Sequence, residues 1–229
     1  MNKISLKINN LCSASSLKIY NHSILDHFNS LSFEFTDHHI YGVVNSFGSG
    51  GQTLINVLSG YASYSPGKIY YNNVKIGQNE LKKFTFNIEK FPLYIKKKLF
   101  RSNTVLSHLT RVIANNPSFD DTLENVIKVF NLTRLNHDIR YTSGEQWRII
   151  LALGYCMGKK IFCFNWQNYW WLRRFLDVLK PMVDYLKEKG CIVFIPTDNT
   201  DGIEILFDEI IHPSNYLEGD VKGWYKDYY

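Results

Sequence analysis

The stretch from residue 40 to residue 60, IYGVVNSFGSGGQTLINVLSG, limits the possible folds of this chain more than any other. Residues 40–44 are a short, apolar, β-branched run that predicts a buried strand, and residues 53–58 have the apolar spacing of a helix. A glycine-rich loop lies between them. Strand, glycine-rich loop and helix are the layout of a phosphate-binding loop, in which backbone N–H groups and the helix N-terminus attract anions.

The loop lacks the charged chemistry of the full motif, G-x-x-x-x-G-K-[ST]. The candidate nucleotide-binding residues in and after the loop are Asn45, Ser46, Phe47, Gly48, Ser49, Gly50, Gly51, Gln52 and Thr53. Gly51 stands at the lysine position, Gln52 at the magnesium-binding hydroxyl and Asn45 at the first glycine. On this stretch alone, an ordinary turn between a strand and a helix is an equally good interpretation.

Length and composition indicate one folded α/β domain. The chain has 229 residues, 45% of them hydrophobic and 21% charged, which is enough for a sizeable core. The net charge of +5 is spread out, and its basic runs are short. These runs favour a solvated surface over a nucleic-acid partner. The four cysteines are far apart in the sequence and are expected to be reduced core residues of a cytoplasmic protein, with no zinc site.

No segment of the sequence is predicted to cross a membrane. The longest apolar run, residues 149–157, is too short to span a bilayer, and the N-terminus carries no apolar signal segment. If the protein works at a membrane, we expect another chain to do the spanning.

The order of predicted elements is antiparallel strands, the strand–loop–helix unit, a helical block and a final strand–helix–strand unit. Strands are predicted at 4–8, 17–20, 31–35, 40–44, 68–71, 84–88, 161–164 and 191–195. Helices are predicted at 104–114, 123–132, 144–157 and 171–189, with Asp120 or Asp121 as a cap and a kink at Pro181. This order predicts a mixed α/β fold with a helical insertion.

A second stretch makes a family resemblance specific. Residues 141–152, YTSGEQWRIILA, resemble the signature motif L-S-G-G-Q-x-x-R-x-x-L-A of ATP-binding cassette (ABC) ATPases. Thr142 replaces the motif's serine, Ser143 its first glycine and Glu145 its glutamine. Four residues match the motif: Gly144, Arg148, Leu151 and Ala152.

Other motifs of the family follow at its spacing, also with substitutions. The aspartate–glutamate pair after the strand at 161–164 is replaced by Asn165 and Trp166, and the switch histidine is replaced by Thr197. Glu89 stands at the glutamine of the glutamine loop, and Tyr20 is the candidate for the aromatic residue that stacks on adenine.

The resemblance covers about residues 3 to 212 and implies a fold. That fold is α/β: an ABC-type P-loop NTPase core, in which helices flank a mixed sheet, with an antiparallel β subdomain and a small helical subdomain. We expect residues 1–229 to form a single nucleotide-binding domain with the helical subdomain inserted at about 95–155.

The substitutions remove charges that the family's site uses. The family's lysine binds the β- and γ-phosphates, and a charge-assisted hydrogen bond contributes roughly 1.5–3 kcal/mol, so Gly51 predicts at least about tenfold weaker nucleotide binding. Trp166 cannot accept a proton as the family's glutamate does, and losing a general base costs about 10²–10⁴ in rate. Asp198 and Glu89 are the acids that could replace it. We assign no catalytic residue.

The resemblance also implies cofactors and partners. We expect ATP to bind weakly at most. We also expect poor magnesium binding, because only Gln52, Thr53 and Asn165 are left as possible ligands. In the family, two cassettes pack head to tail, so Thr142, Ser143, Gly144 and Glu145 would face a partner's ATP. We expect a second cassette, identical or different, and a transmembrane permease that docks around residues 89–94 at the inner face of the membrane.

Two alternatives remain open. The chain could be a non-enzymatic scaffold or regulator that binds no nucleotide, or a cassette outside transport. The aromatic residues Trp166, Tyr169, Trp170 and Trp171 are interpreted as filling the space that magnesium and water leave; the alternative is a binding surface.

Overall fold

The computed structural model describes residues 3–14, 17–19, 24–44, 50–91 and 103–213. The strands are β1 (Ser5–Leu11), β2 (Leu17–Ile19), β3 (Ile24–Asp26), β4 (Leu31–Thr36), β5 (His39–Val44), β6 (Lys68–Tyr71), β7 (Val74–Ile76), β8 (Thr85–Asn87), β9 (Ile161–Cys163), β10 (Ile192–Thr197) and β11 (Glu209–Ile211). The α-helices are α1 (Gly51–Leu58), α2 (Gln78–Phe84), α3 (Val105–Ala114), α4 (Leu123–Val129), α5 (Gln146–Cys156), α6 (Tyr169–Arg174) and α7 (Leu176–Glu188). Within these ranges, no helix has the length and apolar character needed to cross a membrane.

A parallel sheet carries the candidate site. Its strand order is β11-β5-β10-β9-β8, and every neighbouring pair is parallel. All six residues of β10 are buried, as expected for a strand covered on both faces. Phe194 of β10 lies between Tyr41 of β5 and Cys163 of β9 in the register. Because the strands are parallel, the carboxyl ends of β5, β8, β9 and β10 lie at one edge of the sheet.

An antiparallel sheet packs against the parallel one. Its strand order is β4-β1-β6-β7, and Leu6 of β1 lies opposite Phe35 of β4 and Tyr71 of β6. The ring of Phe35 meets the edges of Tyr41 and Phe194 at centroid distances of 5.1 and 4.8 Å. The two sheets therefore share an aromatic core, and the predicted mixed α/β architecture with an antiparallel β part is confirmed. The inserted subdomain at 95–155 within a single domain stays a prediction.

One helix was not predicted, and one predicted helix is wrong. Residues 78–84 form α2, whose first turn is held by a hydrogen bond from the Gly77 N–H to the Glu80 carboxylate at 2.9 Å. The helix predicted at 171–189 is two helices that meet at Phe175, and Pro181 lies inside α7. The chain breaks at Phe175, where the ring packs on Trp171 at 4.9 Å.

The predicted cap of α4 is also wrong. Thr122, not Asp120 or Asp121, caps α4: its hydroxyl accepts from the Asn125 N–H at 3.1 Å. The Asp121 carboxylate instead accepts hydrogen bonds from the Asn125 amide (2.9 Å), the Tyr155 hydroxyl (3.0 Å) and the Tyr185 hydroxyl. It therefore links the start of α4 to α5 and α7.

The hydrogen bonds of Asp121 change three pKa values. Burial on its own would raise the pKa of the Asp121 carboxyl, but the hydrogen bonds outweigh it and the pKa lies below its ordinary value. Burial, with the Asp121 contact added, raises the pKa of Tyr185 to about 12 and also raises the pKa of Tyr155. The carboxylate is thus the charged acceptor of two neutral tyrosines.

We predict that Asp121→Ala lowers the free energy of unfolding by about 1–3 kcal/mol, because two partly buried hydroxyls lose their acceptor. The folded-state pKa is lowered, so the contribution of Asp121 is complete above the ordinary carboxyl pKa. It is lost as the pH falls through the lowered value. Urea unfolding of the wild type and of Asp121→Ala, at several pH values between neutral and acidic, measures this pH-dependent difference in stability. Asp120→Ala is the control, since Asp120 is exposed; equal losses in the two variants would contradict the assignment.

Candidate functional site

Part of the predicted site lies outside the described residues: Tyr20, Asn45, Ser46, Phe47, Gly48 and Ser49. The described part begins at Gly50, which has φ +94° and precedes α1. A Cβ at Gly50 would lie 2.5 Å from the His27 carbonyl oxygen and 2.5 Å from the Phe28 Cβ. Both the positive φ and this close approach require glycine here. Gly51 is the first residue of α1 and places no charge at its N-terminus.

Gln52 connects the first turn of α1 to the end of β9. Its Oε1 accepts a hydrogen bond of 2.7 Å from the Trp166 N–H. Next to it, the Asn165 Oδ1 accepts from the Gln167 Nε2 at 2.9 Å. The structure therefore brings Gln52, Asn165 and Trp166 together at the sheet edge, as the resemblance implied. Gln52 bonds to Trp166, and Asn165 bonds to Gln167.

The three candidate magnesium ligands do not fit that ion. Mg²⁺ prefers carboxylate, phosphate and water oxygens in octahedral geometry. Gln52 Oε1 and Asn165 Oδ1 are neutral and already accept hydrogen bonds, and the buried Thr53 hydroxyl donates to the Asp26 carbonyl at 2.6 Å. No group of three or more His, Cys, Asp and Glu side chains suited to a metal exists among the described residues. No step of a mechanism is derived through magnesium.

The two acids that could replace the general base have other partners. The Asp198 Oδ1 accepts from the N–H of Tyr169 (2.8 Å), at the start of α6. The Thr197 hydroxyl lies 3.3 Å from that oxygen and 3.1 Å from the Asn199 carbonyl, to which it can donate. The Glu89 side chain is 44% exposed and pairs with Lys90 at 3.3 Å. The Asp198 carboxylate thus binds the N-terminal end of α6.

Of the four signature residues, Thr142 and Glu145 are buried, and Ser143 and Gly144 are exposed. Thr142 is buried, and its hydroxyl donates to the Ile139 carbonyl at 2.7 Å. Ser143 and Gly144 are exposed, just before α5. Gly144 has φ +82°, and a Cβ there would meet no atom within 4 Å. The backbone conformation, not crowding, therefore requires glycine at 144.

The Glu145 side chain, like that of Thr142, is buried in the protein. It is 3% exposed, and its carboxylate accepts from the Thr133 N–H and hydroxyl and from the Arg134 N–H, with Arg148 at 3.9 Å. Burial would raise the pKa of this carboxyl, but the hydrogen bonds and Arg148 outweigh burial and lower it. The negative charge is compensated inside the protein, away from the surface that Ser143 and Gly144 form.

The tryptophans do not act as one group. Trp171 packs between Trp147 of the signature helix α5 and Phe175, at centroid distances of 5.5 and 4.9 Å. Trp170 is 62% exposed, with the Tyr169 ring 4.5 Å away. The interpretation that these aromatics fill vacated space is therefore wrong for Trp170, whereas Trp171 packs among other aromatic rings and the interpretation stays a prediction for it.

Asp26 belongs to the site, although no sequence motif includes it. This residue ends β3 and is 1% exposed. Its carboxylate accepts hydrogen bonds from the Gly50 N–H (2.8 Å) and the Thr53 N–H (2.7 Å), both in the first turn of α1. The run Ile24-Leu25-Asp26 gives no sign of this contact in the sequence, because the partners are 24 and 27 residues away.

We predict that Gln52→Leu speeds the hydrogen exchange of the Trp166 N–H, which lies just after β9. Removing the amide acceptor should raise the hydrogen-exchange rate of the Trp166 N–H by at least about tenfold, the equivalent of one hydrogen bond. Nuclear magnetic resonance measures this rate residue by residue. The Phe164 N–H, which donates to the Phe194 carbonyl at 2.9 Å, is the internal control. An unchanged Trp166 rate would show that the contact contributes little.

Comparison with known proteins gives a family match. The sequence model of the ABC transporter family matches residues 28–164. A relative from Dictyostelium discoideum, the serine protease/ABC transporter B family protein tagD, is 26% identical over 153 residues. The match covers 59% of this chain and 8% of that protein, so the chain spans only a small part of its relative's length.

Solved structures show the same fold at low sequence identity. An ATP-binding subunit of an ABC transporter is 16% identical with a TM-score of 0.64, over 91% of this chain and 86% of the other. A putative ABC transporter ATP-binding protein from Pyrococcus furiosus is 17% identical with a TM-score of 0.64, over 91% and 97%. The cbiO1 protein of Clostridium perfringens is 15% identical with a TM-score of 0.61, over 90% and 83%. Together with the sequence model, which matches more than half of the residues, these likenesses show that the chain belongs to the ABC transporter family and has the fold of its ATP-binding cassettes.

Proposed function

We propose that this chain is a degenerate cassette subunit of a membrane transporter. Its own site hydrolyses ATP very weakly or not at all, and it offers Ser143 and Gly144 to the ATP of a competent partner cassette. The observation that carries the proposal is the hydrogen bond from the Trp166 N–H to Gln52. It joins α1 to the segment after β9 through an amide side chain and a backbone N–H, whereas the resemblance implies a magnesium-binding hydroxyl at 52 and an aspartate–glutamate pair at 165 and 166.

The lost groups act at different steps, so their effects accumulate. Gly51 supplies no cation for the phosphates, and a tryptophan at 166 supplies no base for water. Thr197 donates to a neighbouring carbonyl within its own loop. Asp198 and Glu89 do not repair the site, because one holds α6 and the other forms an exposed pair with Lys90. We infer that this half of the composite site has no catalytic role of its own.

The signature half keeps what an anion needs. Ser143 and Gly144 are exposed and directly precede Glu145, the cap residue of α5, and the N-terminus of a helix attracts negative charge. The Glu145 carboxylate would repel a phosphate if it faced outward, but it is buried among its hydrogen-bond donors. Thr142 has its hydroxyl turned inward, so we assign its role to the turn and not to the ligand.

Partners follow from the same proposal. The solved dimer of one bacterial ABC transporter cassette and the assignment of cbiO1 to a cbiONQ transporter complex support a second cassette and a permease here. The proposed place for the permease is the surface around residues 89–94 at the inner face of the membrane. Phe91 packs on Phe86 at 5.5 Å, which leaves Glu89 and Lys90 as the described polar part of that surface.

A non-enzymatic scaffold remains the second candidate. The contact between Asp26 and the first turn of α1 favours it, because that contact holds the helix without nucleotide. The two candidates differ in whether the signature surface is used by a partner.

We predict that the purified chain shows no magnesium-dependent binding of ATP or ADP at micromolar concentration. The reason is the missing lysine charge and the neutral ligand set. Calorimetry with each nucleotide, with and without magnesium, is the measurement, and the magnesium-free titration is its control. Micromolar binding that depends on magnesium would contradict the assignment of a degenerate site.

We predict that Ser143→Arg lowers the ATP hydrolysis of a complex between this chain and its copurified partner cassette by about tenfold or more. The long cation blocks the approach of the partner's phosphate to donors that stabilise developing charge. Steady-state phosphate release measures the rate. Ser118→Arg is the control, since Ser118 is exposed and bonds only locally to Asn116. A complex that hydrolyses ATP no faster than the partner alone would overturn the proposal and leave the scaffold.

A further inference from the structure

The N-terminus of α1 is capped by a residue from another part of the chain. Gly50, the cap residue, has no side chain that could satisfy the first N–H groups of the helix. The carboxylate of Asp26 does this instead, with one oxygen on the Gly50 N–H at 2.8 Å and the other on the Thr53 N–H at 2.7 Å. The Thr53 hydroxyl returns a hydrogen bond of 2.6 Å to the Asp26 carbonyl. Three hydrogen bonds therefore join Asp26 to this end of the helix, two through its carboxylate and one through its backbone carbonyl.

The Asp26 charge is buried without a cation. The residue is 1% exposed, and no lysine, arginine or histidine forms an ion pair with it in the part of the chain that the structure describes. A buried carboxylate is costly unless it is hydrogen-bonded. The two N–H groups and the positive end of α1 supply the compensation. The arrangement is thus an anion bound at a helix N-terminus, and the anion belongs to the chain itself.

A phosphate would need the same groups. Anions bind at the N-terminus of a helix through its first N–H groups, and two N–H groups at this end of α1, those of the cap residue Gly50 and of Thr53, already donate to Asp26. A second anion beside the carboxylate would meet like-charge repulsion. On the other side of the turn, the Gln52 side chain is held by Trp166. The first turn of α1 is therefore fastened on both sides by groups of the chain.

We propose that Asp26 is an intramolecular occupant of the phosphate-binding turn. It takes the place of an external phosphate on the N–H groups of Gly50 and Thr53, and it excludes nucleotide from this chain's own loop. The inference rests on the proposed function in one respect: it gives the physical reason why this half of the pair stays without nucleotide. It adds that the cause lies in a residue outside every sequence motif.

The test uses inorganic pyrophosphate as the probe, because it carries the phosphate charge without adenine contacts. In the wild-type chain, the amide resonances of Gly50 and Thr53 should not shift when millimolar pyrophosphate is added. In Asp26→Ser, a small neutral side chain leaves those amides to an external anion. We expect calorimetry to show at least about tenfold tighter pyrophosphate binding, the gain of one charge-assisted contact.

Asp37→Ser is the matched control. The Asp37 carboxylate also accepts a backbone hydrogen bond, from the Ile4 N–H at 2.8 Å, but it lies away from α1. This variant should bind pyrophosphate no better than the wild type. If Asp26→Ser does not fold, the wild-type resonances alone decide, since they need no variant.

Two results would overturn the inference. One is a shift of the Gly50 and Thr53 amides with pyrophosphate in the wild type. The other is a folded Asp26→Ser variant that binds no better than Asp37→Ser. Neither result bears on the signature surface, which the Ser143→Arg experiment tests separately, so a failure here and a failure of the proposed function are distinguishable.

Discussion

The parallel pairing of β10 with β5 and β9 is the constraint on which the rest depends. β10 is buried along its whole length and donates and accepts on both sides, so its register fixes where the neighbouring strands end. The carboxyl ends of β5, β9 and β10 consequently lie at one edge, and residues 165–167 after β9 and Thr197 at the end of β10 bring polar groups there. In such sheets, ligands bind outside the carboxyl ends of the strands. The strand pairing therefore determines where a site can lie, whichever residues occupy that position.

At this edge, the polar groups satisfy one another. Gln52 holds Trp166, Gln167 holds Asn165, and Asp198 holds the start of α6. Buried polar groups must find partners, and a family member that binds nucleotide can leave some of them to the ligand. Here neutral side chains bond within the protein at this edge, and Asp26 and Asp198 are charged acceptors of backbone N–H groups.

Much of the fold could be predicted from the sequence, because it depends on local patterns. Apolar runs identified β5, β9 and β10, and helical spacing identified α3, α5 and α7. Two of the failures came from contacts within a single helical turn, and one came from contacts between residues that are distant in the sequence. The Glu80 contact at Gly77 created α2, the Phe175–Trp171 contact divided the last long helix, and Asp121 was engaged by tyrosines instead of capping α4. Of the site, the resemblance assigned Gln52 and Trp166 to motif positions, but it did not predict the hydrogen bond between them. The inward turn of Glu145 and the role of Asp26 depend on side-chain partners that no motif encodes.

The Asp26 contact also bears on how this chain responds to its surroundings. A protein that binds a free ligand gains stability in proportion to the logarithm of the ligand concentration. A carboxylate attached to the same chain acts instead at a fixed effective concentration, because it cannot diffuse away. A cassette built in this way keeps the first turn of α1 ordered when cellular ATP falls. In an asymmetric pair, the first turn of α1 in this cassette would stay in one conformation. The nucleotide-dependent cassette would open and close against it.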